Sequence, residues 1–96
     1  MARFRVSGSF PLESRNLFVL AGDVVDGRIV PGMEVQIPFN TEAAMTAPIY
    51  AVEYILHSGG REEVGLCIKY QDAEELELWK GLNIASEIIE VSSRDA

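Results

Sequence analysis

The sequence predicts an all-β barrel or sandwich. The dominant hydropathy period is two, Gly and Pro punctuate the chain at short intervals, and only residues 72–80 read as a helix. Arg3 to Phe10 alternates polar and apolar residues, placing Phe4, Val6 and Phe10 on one face of a half-buried strand that Pro11 ends. Leu12 to Asn16 is a polar connection. Leu17 to Val25 is apolar except at Gly22 and Asp23, and its branched residues make it a long strand. Gly22 within it marks a bulge or a sharp coil.

Two turn dipeptides follow, Asp26-Gly27 and Pro31-Gly32, with only Arg28, Ile29 and Val30 between them. Pro31 presets φ at the first central position of a type II turn, and Gly32 supplies the positive φ needed at the second. Met33 to Pro38 is a short strand with Val35 and Ile37 facing one way. Asn40 to Ala47 reads as a small-residue loop. Ile49 to His57 is a strand with Tyr50, Val52, Tyr54 and Leu56 on one face and Ala51, Glu53, Ile55 and His57 on the other. Ser58-Gly59-Gly60 turns the chain. Glu63 to Tyr70 places Val64, Leu66 and Ile68 on its core face, with Gly65, Cys67 and Lys69 pointing away. Asp72 is an N-cap for a helix with acids in its first turn and Gly81 at its stop. Ile84 to Val91 is the last strand, and residues 92–96 form a polar tail.

The chain has 96 residues, 15 acids and 8 bases, so its formal net charge is 8 − 15 = −7. That length suits a single domain, with a core over about residues 3–91. One cysteine excludes an internal disulfide and a multi-thiolate zinc site. No apolar run reaches the about 18–20 residues of a membrane span, and no leader peptide is visible, so the expected location is the cytoplasm. The bases, Arg3, Arg5, Arg15, Arg28, Arg61, Lys69, Lys80 and Arg94, are scattered. That scatter excludes a salt-driven grip on a nucleic-acid duplex and leaves room for a local contact with RNA.

The run from Val25 to Ile37 resembles the second domain of translational GTPases such as elongation factor Tu. Gly27, Gly32, Val35 and Ile37 hold that family's glycine pattern without a gap. Val52-Glu53, Val64-Gly65-Leu66 and the acidic stretch Glu74 to Leu82 follow in the family's order. The resemblance implies a six-stranded antiparallel Greek-key barrel with one short helix before the last strand. It implies no GTPase activity: no Gly-x-x-x-x-Gly-Lys-Ser/Thr loop is present, and the family's Arg after the long strand's Gly is Asp23 here. In that family one outer patch of the barrel holds the terminal adenosine of aminoacyl-tRNA. Carried over by position, the patch falls on Arg15, Glu53 and Cys67, with Arg15 needing a one-residue loop shift and Cys67 replacing an aliphatic residue.

The other chemistry-bearing residues have plainer readings. His57 is the single His and stands at a strand end. Cys67 has no His beside it in sequence and packs as a small apolar residue. Asp23 and Asp26 flank a turn, where Asp bonds its own backbone. Glu74, Glu75 and Glu77 form a solvated helix face. Trp79, Leu76 and Leu82 plug one end of the barrel. No catalytic constellation and no cofactor or metal fingerprint emerges, including none for the flavins that similar barrels hold. The expectation is a non-catalytic binding module contacting a protein partner or an RNA 3′ end. The alternative is an assembly protein that forms a homo-oligomer through outer residues such as Ile55, or docks on a larger complex.

Overall fold

In a computed structural model, residues 2–38, 44–56, 58–60, 62–81 and 87–93 are described. They form β1 (Ala2–Leu12), β2 (Leu17–Asp26), β3 (Glu34–Pro38), β4 (Ala44–Pro48), β5 (Ala51–Leu56), β6 (Glu62–Lys69), α1 (Ala73–Gly81) and β7 (Ile88–Ser92), with a 3₁₀ turn at Glu13–Arg15. Every pairing is antiparallel, in the order β4-β3-β7-β1-β2-β6-β5. The all-β class and the single short helix are as expected. The barrel is not the closed six-stranded one: seven strands make a half-barrel whose ladder is open between β4 and β5.

The physical reason lies at Ile49 and Tyr50. Successive groups along an extended chain point to opposite sides. Ile49 N–H donates to the Met33 carbonyl at 2.8 Å, on the β3 side, and Tyr50 N–H donates to the Cys67 carbonyl at 2.8 Å, on β6. One run of chain therefore serves both edges of the sheet, and covalent continuity stands where a further ladder would be. The stretch expected as a loop over 40–47 holds β4, paired with β3 from Glu34↔Pro48 to Pro38↔Ala44. Residues 40–43 lie outside the described residues, as do His57, Leu82 and residues 84–86 of the expected last strand.

Two features of β1 differ from expectation. It runs through Pro11, which pairs with Phe18. Beyond Arg5 the β1–β7 register ends, so the missing N–H of Pro11 costs no ladder bond on that side. Ser7 is an extra residue between Val6↔Gly22 and Gly8↔Ala21, and this bulge reverses the facing of the strand. Phe10 consequently pairs with Val19 on the outer face and is exposed, while Phe4 and Val6 are fully buried.

The main core comprises Phe4, Val6, Phe18, Leu20, Val35, Ile37, Leu66, Ile68, Ile89 and Val91, closed by Leu76 and Trp79 of α1. Asp72 starts that helix as an N-cap, its Oδ1 accepting the Glu75 N–H at 2.8 Å. Trp79 stacks on Phe18 with ring centroids 5.9 Å apart. A second, smaller cluster lies outside the sheet: Leu17, Val19 and Cys67, with Leu12, Ala51 and Ile55 against them. The apolar run Leu17–Ala21 in the first half of β2 follows from this, since both faces of that half are covered, whereas Asp23 to Asp26 are exposed.

The Pro31-Gly32 turn forms as expected. Gly32 has φ +96° and the Met33 N–H closes the turn onto the Val30 carbonyl at 3.3 Å. No helix among the described residues is long and apolar enough to cross a membrane.

Candidate functional site

The outer cluster is the floor of the candidate site. Arg15 closes the 3₁₀ turn that leads into β2, and the following Asn16 takes the left-handed conformation at φ 55°. Asn is one of the few residues besides Gly that visit that conformation, and here its backbone N–H donates to the Glu13 carbonyl at 3.3 Å. The turn sets Arg15 over the outer face of the sheet. Glu53 and Cys67 reach the same face from β5 and β6, through the alternation of the registers Ala51↔Cys67 and Glu53↔Gly65.

Residues 15, 53 and 67 meet there. Arg15 Nη2 stands 3.2 Å from Glu53 Oε2, and the Cys67 thiol donates to the same oxygen at 3.7 Å. The ion pair is half exposed, with side chains 51% and 44% accessible, so it contributes at most about 1 kcal/mol to stability. Cys67 below it is 1% exposed. Burial pushes its thiol up to about 11, the Glu53 charge and hydrogen bond add to the rise, and Arg15 opposes it. At neutral pH the sulfur is a thiol and a poor nucleophile.

Gly65 makes the close packing possible. A Cβ there would lie 3.0 Å from Ile55 Cδ1 and 3.2 Å from Val19 Cγ1. Two further residues join the face that the sequence did not single out. Tyr50 is 53% exposed, and Lys69 Nζ lies 4.4 Å from its ring centroid. The contact spans 19 positions of sequence and depends on the bend at Ile49, so no local pattern announces it. Lys69 itself pairs with Leu17, which places it on the same outer face as Cys67.

The remaining candidates disperse. Asp26 forms an ion pair with Arg3, and Asp23 pairs in register with Arg5, so the two Asp residues serve the β1–β2 ladder. Glu77 lies 4.0 Å from Lys80 on the exposed side of α1. Among the described residues no three His, Cys, Asp or Glu side chains converge on a metal-sized site. Ile55 is partly buried against the outer cluster.

The chain matches no protein-family model, no curated protein and no solved structure. The likeness to translation factors rests on the sequence pattern alone. The chemistry of the face rests on its own geometry: two cations, one carboxylate acceptor and one exposed aromatic ring above an apolar floor.

Proposed function

We propose that this chain is a non-catalytic binding module and that it holds the end of an RNA against the outer face of β2, β5 and β6. The observation that carries the reading is the convergence of Arg15, Glu53 and Cys67, which are far apart in sequence. Tyr50 and Lys69 beside them supply what an unpaired nucleotide needs, a ring for stacking and a cation for phosphate, while Glu53 accepts from sugar hydroxyls or base amines. A net charge of −7 opposes broad contact with a nucleic acid, so recognition is confined to this small cationic spot. The raised thiol of Cys67 supports binding over catalysis. The reading takes the half-barrel as a form of the translation-factor barrel that the glycine pattern resembles, working in the cytoplasm.

The test is a titration of isotope-labelled protein with an aminoacylated CCA-ended RNA hairpin at physiological salt, followed by backbone amide shifts. Saturable shifts at residues 15, 50, 53, 67 and 69, lost in Arg15→Ala, are expected. Shifts that are absent at high RNA concentration, or that fall on another face, refute the RNA reading and leave a protein partner as the target.

A further inference from the structure

The edges of the sheet differ in how they are guarded. Exposed edges invite pairing with another chain, and proteins blunt them with Pro, Lys or bulges. β4 ends in Pro48 and is paired to a strand that ends in Pro38. β5 reads Ala-Val-Glu-Tyr-Ile-Leu, with no Pro and no Lys. Among the described residues it pairs with β6 alone, so its other edge has no strand beside it. Its single charge, Glu53, is held by Arg15 of the same chain at 3.2 Å, so the edge offers no unpaired charge.

The side chains along β5 point the same way. Tyr54 and Leu56 are each 72% exposed, the most exposed large apolar residues among those described. They share one face of the strand, opposite Val64 and Glu62 of β6. Val52 on the same face packs against the main core, as does Val64 across from Tyr54, while Tyr54 and Leu56 themselves stand clear of it.

We propose that the free edge of β5 pairs antiparallel with the same edge of a second copy of this chain, making one continuous sheet across a two-fold axis. A rigid docking surface needs about 800 Å² per partner, far more than two side chains supply. Strand addition needs less, because main-chain hydrogen bonds carry the affinity and alternate side chains set the register. A two-fold centred on Ile55 sets Tyr54 opposite the second copy's Leu56, and Leu56 opposite its Tyr54. These are the aromatic–aliphatic cross-strand pairs that stabilise antiparallel sheets. The same register sets no acid opposite another acid. The net charge of −7 on each chain opposes approach, but beyond about 8 Å it is screened at physiological ionic strength. Added salt therefore strengthens the pairing. The surface is distinct from the spot proposed for RNA, and its test uses no RNA.

Sedimentation of the full chain from about 10 µM to about 1 mM, the range in which small interfaces dissociate, tests the proposal. The expected result is a mass rising from one chain toward two, at lower concentration as salt increases. Tyr54→Lys with Leu56→Lys guards the edge without touching the core, and is expected to raise the midpoint at least about tenfold while the amide spectrum stays folded. Amides of Val52, Tyr54 and Leu56 in the wild type are expected to shift with concentration. A chain that stays monomeric to the top of that range overturns the proposal, including one that instead takes up an added peptide of alternating Lys and Val. A dimer that survives the double substitution, or one that weakens as salt rises, overturns it too.

Discussion

A Cβ on Gly22 would stand 1.9 Å from the carbonyl oxygen of Arg5 and 2.9 Å from its carbonyl carbon. Both atoms are backbone, in the strand paired to Gly22 and next to the bulge at Ser7, so neither gives way without parting β1 from β2. Gly22→Ala is expected to cost about 3 kcal/mol or more. Gly65→Ala meets the tips of Ile55 and Val19 instead and is expected to cost about 1 kcal/mol, since a side chain rotates where a backbone does not. Urea unfolding of the two variants checks the order. Equal costs would mean that the approach of Arg5 to Gly22 is looser than described.

Cys67 gives the fold an alkaline limit. Its value is raised from the ordinary 9.0 to about 11, first by burial and then by Glu53. The folded state thus holds the thiol proton more tightly than the unfolded state does. The stabilisation is whole below pH 9 and is lost as pH rises from 9 through 11. Two units correspond to about 3 kcal/mol over that window. Cys67→Ala removes the titration, so its stability relative to the wild type is expected to improve by that amount between pH 9 and pH 11. Urea midpoints on a pH series measure it, and parallel curves would refute it.

The three residues of the candidate site are expected to act on one another with opposite signs. Glu53 raises the Cys67 value and Arg15 lowers it. Glu53→Gln should therefore bring the thiol down, though not as far as 9.0, because burial is the largest cause and remains. Arg15→Ala should move it up. The pH dependence of thiol alkylation in the folded protein reads both. Stability at neutral pH is expected to change by less than about 1 kcal/mol in Arg15→Ala, since the pair is half exposed. Shifts of the same sign in both variants would mean that the three groups do not share the face.

Much of this architecture is legible in local sequence. Gly32 needs a positive φ after Pro31, Asp72 caps a helix with acids in its first turn, and alternation separates Leu66 and Ile68 from Cys67. Glu53 and Cys67 belong to one outer face by alternation, and the structure brings Arg15 to them. The departures arise where partners distant in sequence decide. Ala-Met-Thr-Ala-Pro has weak strand propensity and becomes β4 because β3 lies beside it. Phe10 continues the alternation of Phe4 and Val6 in sequence, but the bulge at Ser7 turns it outward. Glu63 adjoins the core-face run and is 4% exposed, with the Ser7 hydroxyl oxygen 2.5 Å from its Oε2 across 56 positions. The closed barrel fails for a comparable reason: the bend at Ile49 and Tyr50 is set by bonds to Met33, just before β3, and to Cys67 of β6, and neither is encoded next to it.

Trp79 offers the sharpest separation of packing from polarity. Its side chain is fully buried against Phe18, yet its Nε1–H has no hydrogen-bond partner among the described residues. A buried unsatisfied donor costs about 1–3 kcal/mol. Trp79→Phe removes that donor and keeps a ring on Phe18, but it leaves a cavity where the second ring was. The two effects oppose, and the expected net loss is under about 2 kcal/mol. Trp79→Ala removes the ring stacked on Phe18 and is expected to cost about 3–5 kcal/mol, uncovering Phe18 at that end of the core. Thermal unfolding followed by far-ultraviolet circular dichroism compares the two without relying on the lost chromophore. Were Trp79→Phe as damaging as Trp79→Ala, the indole N–H would have a partner that stabilises the fold, and the packing account of α1 would fail.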